Sequence, residues 1–148
     1  MKSGLTRNII KRNYALITPD GQVPSVLPGW TDCTPIVMIS PALGAEFSQF
    51  LMKLDSKSAG AGDTGDDEWF LYVIAGSLLV NGLALGEGGF AFLPPQTKYE
   101  IRGAAADSQL LISKKRTNRW RDNRRRNFSQ ATKKAFPKRR FLATRGPG

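Results

Sequence analysis

Histidine is missing from all 148 residues of this chain. It is the side chain that titrates near neutral pH and the commonest ligand of zinc, iron, copper and manganese. Its absence closes Ser-His and Cys-His catalysis and every His-based metal centre. Cysteine occurs once, at Cys33. An intrachain disulfide is therefore excluded, a reducing compartment fits, and a catalytic thiol would have no imidazole to activate it. Long apolar runs are lacking as well: Gly, Pro or a charge breaks each one short of the roughly 20 residues that cross a bilayer. The basic residues between Met1 and Arg12 are followed by no apolar core of signal-peptide length. The expectation is a cytoplasmic chain with one ordinary domain and no membrane partner.

Charge is present but one-sided. The formal net charge is +10, yet residues 1–113 carry 8 Lys and Arg against 11 Asp and Glu, and residues 114–148 carry 14 against 1. The basic character thus belongs to the C-terminal tail alone, where Trp120, Phe128, Phe136 and Phe141 are interleaved with the cations. Such a segment can neutralise phosphates and stack on bases with little sequence preference, although it matches no nucleic-acid-binding module. Its Arg-rich, aliphatic-poor composition equally suits disorder.

From Asn13 to Lys114 the chain reads as short β-rich pieces punctuated by Gly, Pro, Asn and Asp, without a sustained helical period. Strands are expected at Tyr14–Thr18, Ile36–Ser40, Glu46–Leu54, Trp69–Ala75, Ser77–Val80, Phe90–Leu93, Tyr99–Arg102 and Gln109–Ser113. Asn81-Gly82 between two apolar runs predicts a tight hairpin, because both turn positions need positive φ. Pro94-Pro95 should end the strand begun at Phe90, since proline donates no ladder hydrogen bond. The stretch "SAGAGDTGDD", Ser58–Asp67, reads as an acidic loop, and its spacing does not fit the calcium loop of an EF-hand. Gly86-Glu-Gly-Gly reads as a turn rather than a phosphate loop, because a strand follows it.

Two blocks resemble the cupin superfamily of double-stranded β-helix, jelly-roll barrels. In "GEGGFAFLPPQTKYEIRG" Gly88 and Pro94 fit the second cupin block, while Gln96 stands for its second glycine, Tyr99 for its metal-binding histidine and Gly103 for its asparagine. In "WFLYVIAG" Gly76 fits the last glycine of the first block, which puts Trp69 at the glutamate position and Asp63 and Gly65 in the histidine region. Glu68 is one residue off, and in a strand that single step reverses the face.

More narrowly, "NYALITPDGQV", "LPGW", "PALGAEFSQFLMKL", "DDEWFLYVIAGSLLVNG", "LGEGGFAFLPP" and "DSQLLISKKR" resemble, in order, the N-terminal half of the (S)-ureidoglycine aminohydrolase family over Lys11–Arg116. The resemblance implies a bicupin enzyme of allantoin and purine breakdown that converts ureidoglycine to ureidoglycolate and ammonia. Its manganese and catalytic residues belong to the second cupin domain, and the first is a metal-free packing partner. The expectation is an all-β cupin barrel of residues 13–116, preceded by an arm (1–12) and followed by a disordered basic tail (117–148). No catalytic residue, metal ligand or cofactor is expected in this chain. Gln96 and Tyr99 are candidates for a small-molecule pocket at the barrel mouth, a placement that rests on cupin analogy. Trp69, Phe70, Tyr72, Phe90 and Phe92 are read as core or interface aromatics. Expected partners are a second cupin domain or further copies of the chain, and non-specific nucleic acid through the tail.

The tail has one more reading. Thr117-Asn-Arg-Trp-Arg121 can be encoded so that a shifted frame gives Glu-Pro-Val-Glu-Gly, which resembles the linker after the first cupin domain in this family. A frameshift near Arg116 would then account for the abrupt change of composition.

Overall fold

A computed structural model of the chain describes residues 7–117; the start of the expected N-terminal arm, residues 1–6, and the expected basic tail beyond 117 lie outside the described residues. The compact unit ends at Arg116. It is all β: β1 (Ile9–Ile10), β2 (Ala15–Leu16), β3 (Trp30–Ile39), β4 (Ser48–Asp63), β5 (Asp67–Ala75), β6 (Ser77–Val80), β7 (Leu83–Gly86), β8 (Phe90–Leu93), β9 (Lys98–Gly103) and β10 (Ser108–Arg116). The small β1–β2 hairpin pairs Ile9 with Leu16 across the Arg12–Asn13 junction. The other strands form one antiparallel sheet in the order β7-β6-β9-β4-β10-β5-β8, with β3 also on β4. This is the nearly closed jelly-roll barrel that the cupin resemblance implied.

Period-2 alternation builds the core. Leu71 and Val73 on β5, Ile101 on β9, Leu110 and Ile112 on β10 and Met52 and Leu54 on β4 point inward and are buried together. The hairpin at Asn81-Gly82 is present, with φ of 49° and 78°. Asn81 also caps its neighbour: its Oδ1 accepts the Glu100 N–H at 2.7 Å. Gly76, at φ 77°, leaves no room for a side chain, because a Cβ there would run into Ser108. The Gly86–Gly89 segment turns as expected, closed by a 2.9 Å hydrogen bond from the Gly89 N–H to the Gly86 carbonyl.

The Ser58–Asp67 loop is a correction. β4 runs on to Asp63, so only Thr64 to Asp66 connect it to β5. The small residues that suggested a loop are needed for close packing instead. A Cβ on Gly60 would collide with the Trp30 ring, and one on Gly62 would press on the Tyr99 hydroxyl. β4 spans two sets of partners by turning a corner at Asp55–Ser58. Its first half pairs with β10 and its last five residues with β9, while β3 follows it on both sides of the corner, from Ile39 opposite Gln49 to Trp30 opposite Gly60. At the corner the Asp55 N–H donates to Ser58 Oγ at 2.8 Å, and that hydroxyl donates to the Asp32 carbonyl. A strand that switches partners at a bend is how antiparallel sheets make corners.

Candidate functional site

Two of the four positions that a metal-binding cupin would fill with donor atoms meet inside the barrel. Trp69 on β5 and Tyr99 on β9 both point inward, are almost fully buried, and pack with ring centroids 4.6 Å apart. Trp30, from the start of β3, joins the same core. Burial pushes the Tyr99 phenol above its ordinary value of 10.0, and the nearby Trp30 indole offsets this by less. That indole faces the phenol without the geometry of a hydrogen bond, and the N–H groups of Trp30 and Trp69 both lack a partner among the described residues. An indole N–H cannot ligate a cation, and a neutral phenol is a poor donor at such a site. Asp63 is exposed and occupied locally, its Oδ1 accepting the Gly65 N–H at 2.7 Å. Gly65 has no side chain to offer. Among the described residues no group of three or more Cys, Asp or Glu could hold a metal ion, so the donor set does not fit manganese.

The two pocket candidates part company. Tyr99 faces the core, whereas Gln96 is exposed in the turn between β8 and β9, where its Nε2 donates to Asp66 Oδ1 at 3.2 Å. Its φ of 60° explains why the cupin pattern carries glycine here. Buried Thr64 anchors the turn, donating to the Pro94 carbonyl at 2.8 Å and accepting the Thr97 N–H at 3.0 Å. Glu68 is on the outer face, opposite Lys115 in register, as the one-residue step requires.

Lys114, which sequence reasoning did not single out, enters the barrel end from β10. Its ammonium lies 3.8 Å from the Trp69 ring centroid and 5.3 Å from that of Phe50. Burial lowers its pKa from 10.5, and Asp67 restores part of the loss. The Cys33 thiol is shifted the opposite way for the same reason: burial first, then Asp32 and Asp55, raise it above 9.0. A thiol held protonated in this way is a weak nucleophile. A groove of about 530 Å³ lies between the β1–β2 hairpin and the β3–β4 connection, lined by Lys11, Arg12, Met38, Ile39 and Phe47 among others, and by neither Gln96 nor Tyr99.

No family model matches the sequence. The chain is 36% identical over 118 residues to (S)-ureidoglycine aminohydrolase of Escherichia coli strain K12, an overlap of 74% of this chain and 45% of that protein. The crystal structure of protein Ylba from E. coli superposes with a TM-score of 0.67 at 34% identity, covering 77% of this chain and 50% of that one. Over this domain the chain belongs to the (S)-ureidoglycine aminohydrolase family. A probable (S)-ureidoglycine aminohydrolase of Oryza sativa subsp. japonica agrees at 32% identity over 77% of this chain. The chain spans less than half the length of the curated relatives it matches. An RmlC-like cupin from Shewanella frigidimarina, at TM-score 0.54 and 17% identity, shares the fold alone.

Proposed function

We propose that this chain is the metal-free N-terminal cupin of an (S)-ureidoglycine aminohydrolase, a truncated relative inactive by itself. The observation that carries the reading is the Trp69–Tyr99 pair, whose rings fill the place where glutamate and histidine would have to meet. In this reading Tyr99 serves packing, Gln96 serves a turn, and the manganese chemistry belongs to a second cupin domain in a longer parent. No helix among the described residues is long and apolar enough to cross a membrane, and a cytoplasmic location is part of the proposal. Incubating the purified chain with manganese and ureidoglycine should release no ammonia above the uncatalysed rate. Manganese-dependent turnover would overturn the reading.

The abrupt charge change after Ser113 favours a second reading, in which residues 114–148 bind nucleic acid. Affinity for random duplex should then fall steeply from low to moderate salt, because each neutralised phosphate releases counterions. The nucleotide sequence beyond the Arg116 codon separates the two. A shifted frame that continues into a His/Glu cupin block supports truncation by frameshift, and early stop codons leave the tail as an encoded binding segment.

A further inference from the structure

We propose that the groove between the β1–β2 hairpin and the β3–β4 connection binds a small organic acid, its carboxylate on Lys11 and Arg12 and its apolar body on the floor beside them. The cavity measures about 530 Å³, within the roughly 300–1,000 Å³ that small-molecule sites occupy. Its floor is apolar: Ile17, Met38, Ile39, Leu43 and Phe47, all half-buried. Its lining contains no Asp and no Glu.

Local structure puts the two cations at the rim. β1 and β2 pair with each other and with no other described strand, and a 2.8 Å hydrogen bond from the Lys11 N–H to the Tyr14 carbonyl closes the turn between them. Lys11 and Arg12 are exposed in that turn. Among the described residues neither makes an ion pair. Their charge is therefore unneutralised, in a stretch of chain, residues 1–113, that is acidic as a whole with 8 Lys and Arg against 11 Asp and Glu.

Sign and shape select the occupant. Residues 114–148, with 14 cations against 1 acid, are repelled by Lys11 and Arg12 and are not the natural cover. Protein partners bury area by breadth, about 800 Å² on each side, whereas these apolar residues line a concavity of ligand size. A guanidinium forks a carboxylate through two parallel hydrogen bonds, and a lysine beside it adds a point charge. The floor then rewards an aryl or short alkyl body, which an inorganic anion does not have. A two-stranded hairpin is marginal in water by itself, so an acid touching both sides of the groove would also tie this hairpin to the barrel. The inference needs neither the aminohydrolase reading nor the tail.

The test uses the full chain in about 0.15 M salt, which screens its exposed cations, and cinnamate as the probe. Followed by backbone amide NMR, the titration should saturate below about 1 mM, with shifts at residues 11–15, 38–39 and 44–47. Cinnamyl alcohol keeps the body without the charge, and acetate keeps the head without the body; each should bind at least about tenfold more weakly. Lys11→Ser with Arg12→Ser should weaken cinnamate at least about tenfold. Lys98→Ser with Arg102→Ser, on a charged face of the barrel, should leave it within about twofold. In the unmodified chain hydrogen exchange of the Lys11 amide should slow as cinnamate is added, and this readout stands even if the first double variant misfolds. The proposal is overturned by a titration that does not saturate, by acetate or the alcohol binding as well as cinnamate, by binding indifferent to Lys11 and Arg12, or by shifts that centre on Phe70 and Phe90. It is also overturned by a Lys11 amide that already exchanges slowly in a chain that takes up no cinnamate, since protein would then cover the groove.

Discussion

The outer surfaces of β9 and β8 differ although their inner surfaces do the same work. β9 turns Lys98, Glu100 and Arg102 to solvent, Glu100 and Arg102 form an ion pair, and Lys98 lies opposite Asp63 in register. β8 turns Phe90 and Phe92 outward beside Phe70 and Tyr72. Inside, Tyr99 and Ile101 of β9 and Leu93 of β8 belong to one core. Burial of the inner face explains the fold. The outer faces differ: charged on β9 and apolar on β8, both open in the described chain.

If the inner faces are equivalent, breaking either should cost alike. Leu71→Ala behind the aromatic wall and Ile101→Ala behind the charged wall remove fully buried side chains. Each should lower unfolding free energy by about 2–5 kcal/mol in urea titrations; a loss below ~1 kcal/mol at one site would show that its wall is loosely packed. Next in size, Asn81→Ala strips the turn beside β9 of its bond to the Glu100 N–H and places Ala at positive φ. A loss of roughly 1–2 kcal/mol is expected, read in the same titration.

Lys114 sharpens the comparison from the aromatic side. Its folded pKa lies below 10.5, so the folded state loses this proton first as pH rises. Below the folded value the cost of burying the charge is fully present, and it is relieved between that value and 10.5. The unmodified chain should therefore gain stability relative to Lys114→Met as pH is raised through that window, measured as a change in the gap between their melting temperatures. A gap that moves the other way would mean the ammonium is stabilised where it sits. Smallest of all, Arg102→Ala breaks an exposed ion pair and should shift stability by no more than about 0.5 kcal/mol.

Much of this was legible in the residues. Asn81-Gly82, Pro94-Pro95 and the runs at Ser77–Val80 and Phe90–Leu93 carry local signals whose physics is complete within a few residues, and these elements fall where expected. Ser58–Asp67 was misread because small residues serve both turns and close approach, and only the distant Trp30 and Tyr99 decide which. Cupin analogy groups Tyr99 with Gln96, but a turn and strand parity send them to different environments. Trp30 reaches the same core from far along the chain, which no local pattern shows. The outer aromatic wall did leave a trace: "WFLYVIA" has no charged position, so no alternation marks one of its faces as the solvent side.

The corner in β4 bears on how the barrel comes apart. One strand holds β3, β10 and β9, so none of these three can separate from the sheet without disturbing the element that secures the other two. Most of the partners are distant in sequence, which makes assembly slow because loops must close before contacts reward them. It also leaves little room for partial opening. Amides at Met52 and Ala61, on either side of the corner, should share one opening free energy, that of the whole domain.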